Sequence, residues 1–437
     1  MKIYLISLGC AKNKVDSEVI IGNLVANENI ELTLDMSKAD LIIINTCAFI
    51  ESAKQEAIDT IFEVLDNKRK TQKVMVCGCL STRYEGQIQE LIPEVDRFVS
   101  IKEYPNLKEI VNSMFNKHPF SLEVSSLNRL VTGMKESVYV KISEGCNNRC
   151  SYCAIPLIRG SFISRPMDEI LDEVTELVAK GAREINLISQ DTTNYGIDLY
   201  KEYKIVELLD KVTSISGDFK VRLLYLYPTL VSDALIDFIA NNDKVLPYFD
   251  IPLQHSETKM LKSMNRRGDK EFIVDLINKI RDKIPHAILR TTMIVGFPGE
   301  TEEDFKNLVN FIKEIKFDRL GAFAYSAEED TAGAMMDNQI AEEIKQERLN
   351  ALYLAQDDIA QAANEKHIGK ITETLIVDYD ADSYAYIGRN YAFAPDDIDG
   401  FIFVYSIKEL KVGDVVKVKI LDASINTLSG QTVEEEE

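Results

Sequence analysis

A chain of 437 residues, 46% hydrophobic and 28% charged, is larger than one hydrophobic core sustains, so two to four globular domains are expected and a disordered or fibrous protein is excluded. No apolar run approaches the roughly 20 residues that cross a bilayer, and Met1-Lys-Ile-Tyr-Leu-Ile-Ser7 enters a strand pattern rather than a signal peptide, so a cytoplasmic protein without membrane contact is expected. The net charge of -21, from 71 acidic and 50 basic residues, offers no general basic face for phosphates and suits a basic protein partner instead.

From Met1 to about Ser100, buried-strand runs alternate with helical stretches. Ile3-Tyr-Leu-Ile-Ser-Leu8, Leu41-Ile-Ile-Ile-Asn45 and Lys73-Val-Met-Val76 read as parallel strands of a small doubly wound fold. Cys10 follows the first, Cys47 the second and Cys79 the third. Carboxyl ends of strands in such a sheet border the ligand crevice, so these three thiols are expected to converge at one edge. The alternative is core packing, since free cysteine is often buried. Cys77, two residues before Cys79, is expected to share its face, either as a small buried thiol or as a rival ligand. Residues 101–135 read as a mixed connector, polar around Asn112–His118 and Ser121–Asn128.

A second alternation begins at Ser137. Ser137–Ser143, Glu184–Ser189, Val221–Leu226, Tyr248–Ile251, Ala287–Val295 and Leu320–Ala324 read as six strands separated by helices. This pattern predicts a partial TIM-type (β/α)6 barrel, active at its C-terminal rim. A helix over Ala341–Glu365 follows. After Gly369 the texture changes to short β-rich runs, Ile371–Val377, Tyr384–Ile387, Gly400–Tyr405 and Asp414–Ile420, which predict a small antiparallel β-barrel. Fourteen acidic residues face six basic ones from Gly369 onward, and Glu434–Glu437 reads as a solvated tail.

Just after the first strand of the central region stand Cys146, Cys150 and Cys153, in the segment EGCNNRCSYCAIP. Three thiolates at C-x3-C-x2-C spacing can hold three corners of a cubane iron-sulfur cluster. Ordinary electron-transfer clusters use four cysteines, so the fourth iron is left open for a substrate or cofactor. Structural zinc is the alternative, but zinc asks for a fourth Cys or His nearby, and His118 and His255 lie outside the loop. Seven cysteines, an odd number, with no secretion signal, argue for metal or redox chemistry over a disulfide framework.

With Tyr152 before its last cysteine, this motif resembles the cluster motif of radical S-adenosylmethionine (SAM) enzymes. The resemblance extends to the methylthiotransferase branch through Leu8-Gly-Cys-Ala-Lys-Asn-Lys-Val-Asp-Ser-Glu18, Asn45-Thr-Cys-Ala-Phe-Ile50, Gly78-Cys-Leu-Ser-Thr-Arg-Tyr84, Arg159-Gly160, Ser164-Arg-Pro166 and Gly296-Phe-Pro-Gly-Glu-Thr301. The C-terminal β-module is similar to a TRAM domain. The resemblance implies an N-terminal methylthiotransferase domain at 1–118, a radical SAM domain at 132–366 and the TRAM-like domain at 369–437.

It also implies two 4Fe-4S clusters, one on Cys10, Cys47 and Cys79 and the other on Cys146, Cys150 and Cys153, with SAM chelating the open iron of the latter. In the family one SAM methylates sulfur at the N-terminal cluster, and a second is cleaved to a radical that opens an unactivated C–H bond for methylthio insertion. Candidate SAM contacts are Tyr152, Ser189 and Gln190, with Asp191, at a strand end, and Gly296 in the Gly296–Gly299 segment; both segments also read as ordinary turns. Gln254 and His255 are candidates for the cavity wall, with a structural histidine as the alternative, and Tyr225 and Tyr227 read as packing residues.

Two substrate classes divide this branch. Leu8-Gly-Cys-Ala-Lys-Asn-Lys14 and Ser143-Glu-Gly-Cys146 resemble enzymes that modify an aspartate of small-subunit ribosomal protein S-twelve, whereas enzymes acting on tRNA adenosine usually carry Gly-Cys-Gln-Met-Asn at the first segment. The acidic C-terminal module agrees, because it suits a very basic ribosomal protein better than RNA. The partners expected are therefore that ribosomal protein and a reductant protein. A tRNA methylthiotransferase, a radical enzyme whose auxiliary cluster only relays electrons, and a non-enzymatic cluster scaffold are the competing readings.

Overall fold

The computed structural model describes residues 1–26, 29–115, 128–396 and 398–433. The expected boundary at 118, His118, most of the polar stretch Ser121–Asn128 and the acidic tail Glu434–Glu437 lie outside the described residues.

The N-terminal body is a five-stranded parallel sheet built from β1 (Lys2–Ser7), β2 (Glu31–Leu32), β3 (Leu41–Thr46), β4 (Lys73–Gly78) and β5 (Arg97–Val99), in the order β2-β1-β3-β4-β5. The all-buried Leu41-Ile-Ile-Ile-Asn-Thr46 is its centre. Alternation sends Ile42, Ile44, Val74 and Val76 to a face covered by Ala57, Ile61 and Val64 of the helix Glu51–Asn67. The opposite face, with Leu41, Ile43 and Met75, is covered by Ile20, Ile21 and Leu24 of the helix Ala11–Val25. Part of the expected connector is itself a covering element: the helix Leu107–Met114 buries Leu107 and Val111, one turn apart, against that second face.

The expectation that Cys77 shares the face of Cys79 is overturned. Cys77 points with Met75 into the second face, whereas Cys79 packs with Val76 and Leu80 on the first. Strand alternation stops at Gly78, whose φ of +97° turns the chain so that Cys79 begins a short helix, Cys79–Arg83. Fully buried, the Cys77 thiol is pushed up to about 12, as befits a small core residue.

The central body carries β6 (Ser137–Lys141), a short ribbon of β7 (Ser143–Glu144) and β8 (Ile163–Ser164), then β9 (Glu184–Ile188), β10 (Lys220–Leu223), β11 (Tyr248–Asp250), β12 (Ile288–Val295) and β13 (Arg319–Ala324). Parallel triplets β6-β9-β10 and β11-β12-β13 meet through the isolated bridge Val221–Val245. The six expected strands thus form an incomplete barrel, with helices outside. The helix Glu342–Glu365 packs along β13, where Tyr353 Oη accepts from Ala322 N and donates to Ala322 O.

The C-terminal body is a closed five-stranded barrel of β14 (Ile371–Asp380), β15 (Ala385–Arg389), β16 (Phe401–Tyr405), β17 (Val415–Ala423) and β18 (Thr427–Thr432). Sequence patterning identifies four of these strands and misses β18, Thr-Leu-Ser-Gly-Gln-Thr, which has one large apolar residue, Leu428. β18 also breaks the expected antiparallel rule. It runs parallel to β16 and antiparallel to β17, filling the gap between them.

Buried ion pairs tie the bodies together. Arg129 pairs with Glu18 at 2.5 Å and Glu173 at 2.7 Å, linking the N-terminal helix to the barrel. Glu184 at the foot of β9 is held between Arg222, at 2.7 Å, and Arg389 of the C-terminal barrel. Removing one partner of such a buried set costs about 3 to 5 kcal/mol, because the remaining charges lose compensation in a low-dielectric setting. Glu184→Gln is therefore expected to lower unfolding free energy by about that amount in urea denaturation, and a loss below 1 kcal/mol would contradict the role assigned to this carboxylate.

Candidate functional site

The loops bearing Cys10, Cys47 and Cys79 leave the carboxyl ends of three adjacent strands, as the strand pattern requires. Gly9, with φ +86°, lets the first loop press on the second: a Cβ there would sit 2.7 Å from Cys47 Cβ and 3.1 Å from its Sγ. Cys10 then occupies the N-cap position of the helix Ala11–Val25, its side chain making no capping bond and remaining exposed. Asn13, one turn later, fastens the loops by donating to Leu8 O at 3.1 Å and Thr46 O at 2.9 Å, while Cys79 Sγ lies 3.5 Å from its Oδ1. Burial pushes the Cys79 thiol up to about 12; Arg159 pulls the other way, and Cys47 and Cys10 add to the rise, so the three thiols share one electrostatic site.

The second triad lies on the loop between β7 and the helix Ile155–Arg159. Gly145, with φ +70°, approaches the returning chain so closely that a Cβ would be 2.2 Å from Ser161 O, and Cys146 N donates to Gly160 O at 3.2 Å. The far side is held by Asn265, which donates to Arg149 O at 2.8 Å, and by Ser151 Oγ, which donates to Ser263 O at 2.8 Å. Arg266 brings a cation 3.8 Å from Cys150 Sγ and 3.2 Å from Tyr152 Oη. Desolvation, with the charge of Cys150, pushes the Cys153 thiol up to about 12.

Among the described residues no three His, Cys, Asp or Glu side chains converge tightly enough for a single metal ion. A cubane, whose four irons occupy alternate corners with sulfide at the rest, asks instead for thiols spread around it, one to an iron. That is the donor set here: three thiols on three loops, and three more on one loop. Both fit a polynuclear cluster better than a tetrahedral zinc ion.

The other candidates divide. Tyr152 packs in a pocket with Met260, Met264, Ile294, Phe297 and Tyr325, joining the cysteine loop to the turn after β12. Gly296 in that turn has φ +73°, and its missing Cβ faces Lys345, where it would lie 2.4 Å from Cγ. Its N–H donates to Glu300, whose carboxyl is pushed up to about 7 by burial against the pull of Arg348. At the end of β9, Ser189 Oγ accepts from Asp191 N at 2.9 Å, Asp191 accepts from Asn148 of the cysteine loop at 2.8 Å, and Gln190 donates to Glu144 at 2.9 Å. Gln254 stands four residues beyond β11, bridged to Met293 of β12, with φ +75°, a strained value for a non-glycine residue.

Arg159 links the two triads and Lys12 reaches from the N-terminal helix to the barrel rim, and neither is singled out as a site residue by sequence patterning. The Arg159 guanidinium contacts Asn13 Oδ1, lies 3.5 Å from Cys79 Sγ, and pairs with Asp16 at 3.0 Å and Glu144 at 2.8 Å, two residues before Cys146. Against burial, Lys141 and Arg159 hold the Glu144 carboxyl well below the usual range. Ala154 and Ile158, immediately after Cys153, pack in the same apolar cluster as Ala48, Cys79 and Leu80. Lys12 is buried with its Nζ 3.1 Å from the centroid of the Tyr225 ring, and burial lowers its pKa to about 8. Motif spacing marks both segments, but which side chains cross between bodies is decided by docking.

Comparison with known proteins places this geometry. Residues 140–312 match the radical SAM superfamily, 2–100 the uncharacterized protein family UPF0004, and 368–433 the TRAM domain. The ribosomal protein uS12 methylthiotransferase RimO of Clostridium novyi (strain NT) is 45% identical over 442 residues, covering 99% of this chain and 98% of the relative. That of Aquifex aeolicus (strain VF5) is 46% identical over 435 residues, covering 99% and 98%. The chain belongs to the RimO-type methylthiotransferase family.

Membership of the radical SAM superfamily brings SAM and a 4Fe-4S cluster as cofactors. The fold is also that of the radical SAM methyltransferase TsrM from Kitasatospora setae, solved with cobalamin and a [4Fe-4S] cluster: TM-score 0.55 at 13% identity, over 74% of each chain. OxsB, a cobalamin-dependent SAM radical enzyme, matches with a TM-score of 0.52 at 11% identity over 81% of this chain and 56% of its own. No helix among the described residues of this RimO-type chain is long and apolar enough to cross a membrane.

His255 is completely buried, and its Nδ1 accepts from Glu257 N at 3.0 Å. The ring is thus held neutral, and burial lowers its pKa to about 3. The unfolded chain titrates this group near 6.5, so its contribution to stability is complete above that pH and is lost at about 1.4 kcal/mol per unit as pH falls toward 3. Urea denaturation between pH 7 and 4 is expected to be less acid-sensitive in His255→Gln, and parallel pH profiles would refute this assignment.

Proposed function

We propose that the protein inserts a methylthio group at the β-carbon of an aspartate in small-subunit ribosomal protein uS12. Cys10, Cys47 and Cys79 would hold one 4Fe-4S cluster, and Cys146, Cys150 and Cys153 the other. The observation that carries this reading is the pairing itself: two three-thiol sites, on separate bodies, bridged by Arg159. The full-length similarity to enzymes named for uS12 methylthiolation supports the substrate. The division expected along the chain, 1–118, 132–366 and 369–437, is proposed with it.

When bound, the second cluster with SAM supplies a 5'-deoxyadenosyl radical able to take hydrogen from an unactivated C–H bond, and the first supplies the methylated sulfur. The residues of the chain position, neutralise and enclose. Arg159 beside Cys79 and Arg266 beside Cys150 offset the negative charge of three thiolates apiece. Ser189 and Gln190 at the rim, with the Gly296 turn and Tyr152 behind the loop, would flank SAM. The Arg159, Asp16, Glu144 and Lys141 set keeps the triads in register, since radical transfer between bound groups requires fixed proximity.

Among its described residues, the C-terminal barrel lacks the basic face of an RNA-binding module. Asp399 faces inward to Tyr248 and Arg290, and Asp396 accepts from Tyr139 at 2.6 Å. Glu373, Asp378, Asp382, Asp396, Glu409 and Asp422 are exposed on the C-terminal barrel together with Lys370, Lys408, Lys411, Lys417 and Lys419, so this barrel presents mixed charge rather than the predominantly basic face that RNA phosphates call for. A reductant protein would deliver the electron for SAM cleavage.

Anaerobic reaction of the reconstituted, reduced enzyme with uS12 and with tRNA, followed by mass spectrometry, is expected to add a methylthio group to uS12; a gain on tRNA alone overturns the reading. The triple variant Cys10/Cys47/Cys79→Ala is expected to form 5'-deoxyadenosine without transferring sulfur. Normal transfer by it would refute the first triad's role.

A further inference from the structure

Lys12 is a buried cation without an anion. Its side chain belongs to the first turn of the helix that begins after Cys10, and the residue is 8% exposed. Lys54 and Lys345, both equally buried, have Glu51 and Glu328, and Glu342, as partners. Lys12 makes neither an ion pair nor a hydrogen bond among the described residues; its Nζ rests on the Tyr225 ring at 3.1 Å. The surrounding carboxylates are engaged elsewhere. Asp16 and Glu144 are held by Arg159 and Lys141, and Asp250 by Arg290 at 2.9 Å and Tyr225 N at 2.9 Å.

Tyr225 supplies a second, independent sign. It stands beyond the end of β10 with φ +64°, a left-handed conformation that costs free energy in a non-glycine residue and persists where its surroundings impose it. The Asp250 carboxylate, accepting the Tyr225 N–H, fixes that backbone and with it the ring beneath Lys12. The ammonium is thereby held between the helix that begins after Cys10 and the barrel segment that follows β10. A buried ammonium left unpaired is costly, and a ring face satisfies only part of it. An anionic group of the size of a carboxylate would complete it.

We propose that Lys12 receives the side-chain carboxylate of the substrate aspartate and so selects an acidic side chain for modification, an inference that rests on the protein-substrate reading above. The grip on the carboxylate leaves the adjacent β-carbon beside the first turn of the helix that follows Cys10. Lys12 acts here as a specificity-determining residue, with Tyr225 orienting it.

The test compares binding of labelled uS12, by anisotropy under anaerobic conditions, with the form in which the modified aspartate, mapped by mass spectrometry, is replaced by asparagine. The reconstituted wild-type holoenzyme is expected to prefer the aspartate form by about 10- to 100-fold, the effect of one charge-assisted hydrogen bond. Lys12→Met should abolish that preference by weakening the aspartate form alone, and Lys12→Arg should retain part of it. If Lys12→Met fails to load iron, Lys12→Gln decides by the same ratio. Equal weakening of both forms, or a preference that survives Lys12→Met and Lys12→Gln, overturns the inference while leaving uS12 modification intact. Modification of tRNA in place of uS12 by the wild-type enzyme overturns the parent reading and this one together.

Discussion

The placement of every group in the site depends on how one buried guanidinium is shared. Arg159 is reached from the N-terminal helix by Asn13 and Asp16, from the sheet edge by Cys79, and from the barrel ribbon by Glu144. A charge taken so far from water is tolerated only where several partners converge on it, so the two bodies that supply those partners are held to one relative position. The cysteine loops then inherit that position. Three of the four are set locally by a glycine with positive φ, Gly9 and Gly78 in one body and Gly145 in the other, while the Cys47 loop is pressed by the Gly9 turn, and the relation between triads follows from the shared arginine.

Much of the architecture was legible because periodicity and spacing encode it directly. Six apolar strands with helices between them could hardly be anything but a parallel barrel fragment, and C-x3-C-x2-C names its chemistry within eight residues. The failures have equally local causes. Cys77 was placed beside Cys79 because a period of two was carried through Gly78, where the backbone leaves the strand. β18 escaped notice because its stability comes from filling a gap between two strands, which no propensity within Thr427–Thr432 expresses. The helix Leu107–Met114 hid in a polar stretch because two buried apolar positions suffice to seat it.

The site was legible only as far as its cysteines. Lys12 and Arg159 lie in recognisable segments, yet their significance arises from partners across the chain: Tyr225 for one, Cys79 and Asp16 for the other. Charge counting had a similar limit. The C-terminal region counts as acidic, but buried Asp399 is committed to Tyr248 and Arg290, and exposed Asp396 accepts from Tyr139, so both clasp the barrel to the rest of the molecule. A composition cannot distinguish an acidic surface from an acidic joint.

The insertion of β18 between β16 and β17 has a bearing on how the protein is made. A sheet whose final strand occupies an interior position stays open until that strand has been synthesised, and domains emerging from the ribosome settle as units. The barrel that presents Arg389 to Glu184, 205 positions earlier in the chain, and Asp399 to Tyr248, 151 positions earlier, can close only once residues 427–432 are free. The cysteine loops at the opposite end of the chain are therefore translated long before the clasp behind the barrel can lock. The N-terminal sheet and the central body, whose ion pairs Arg129–Glu18, Arg129–Glu173 and Arg159–Asp16 need nothing beyond residue 173, can thus meet before that clasp is made.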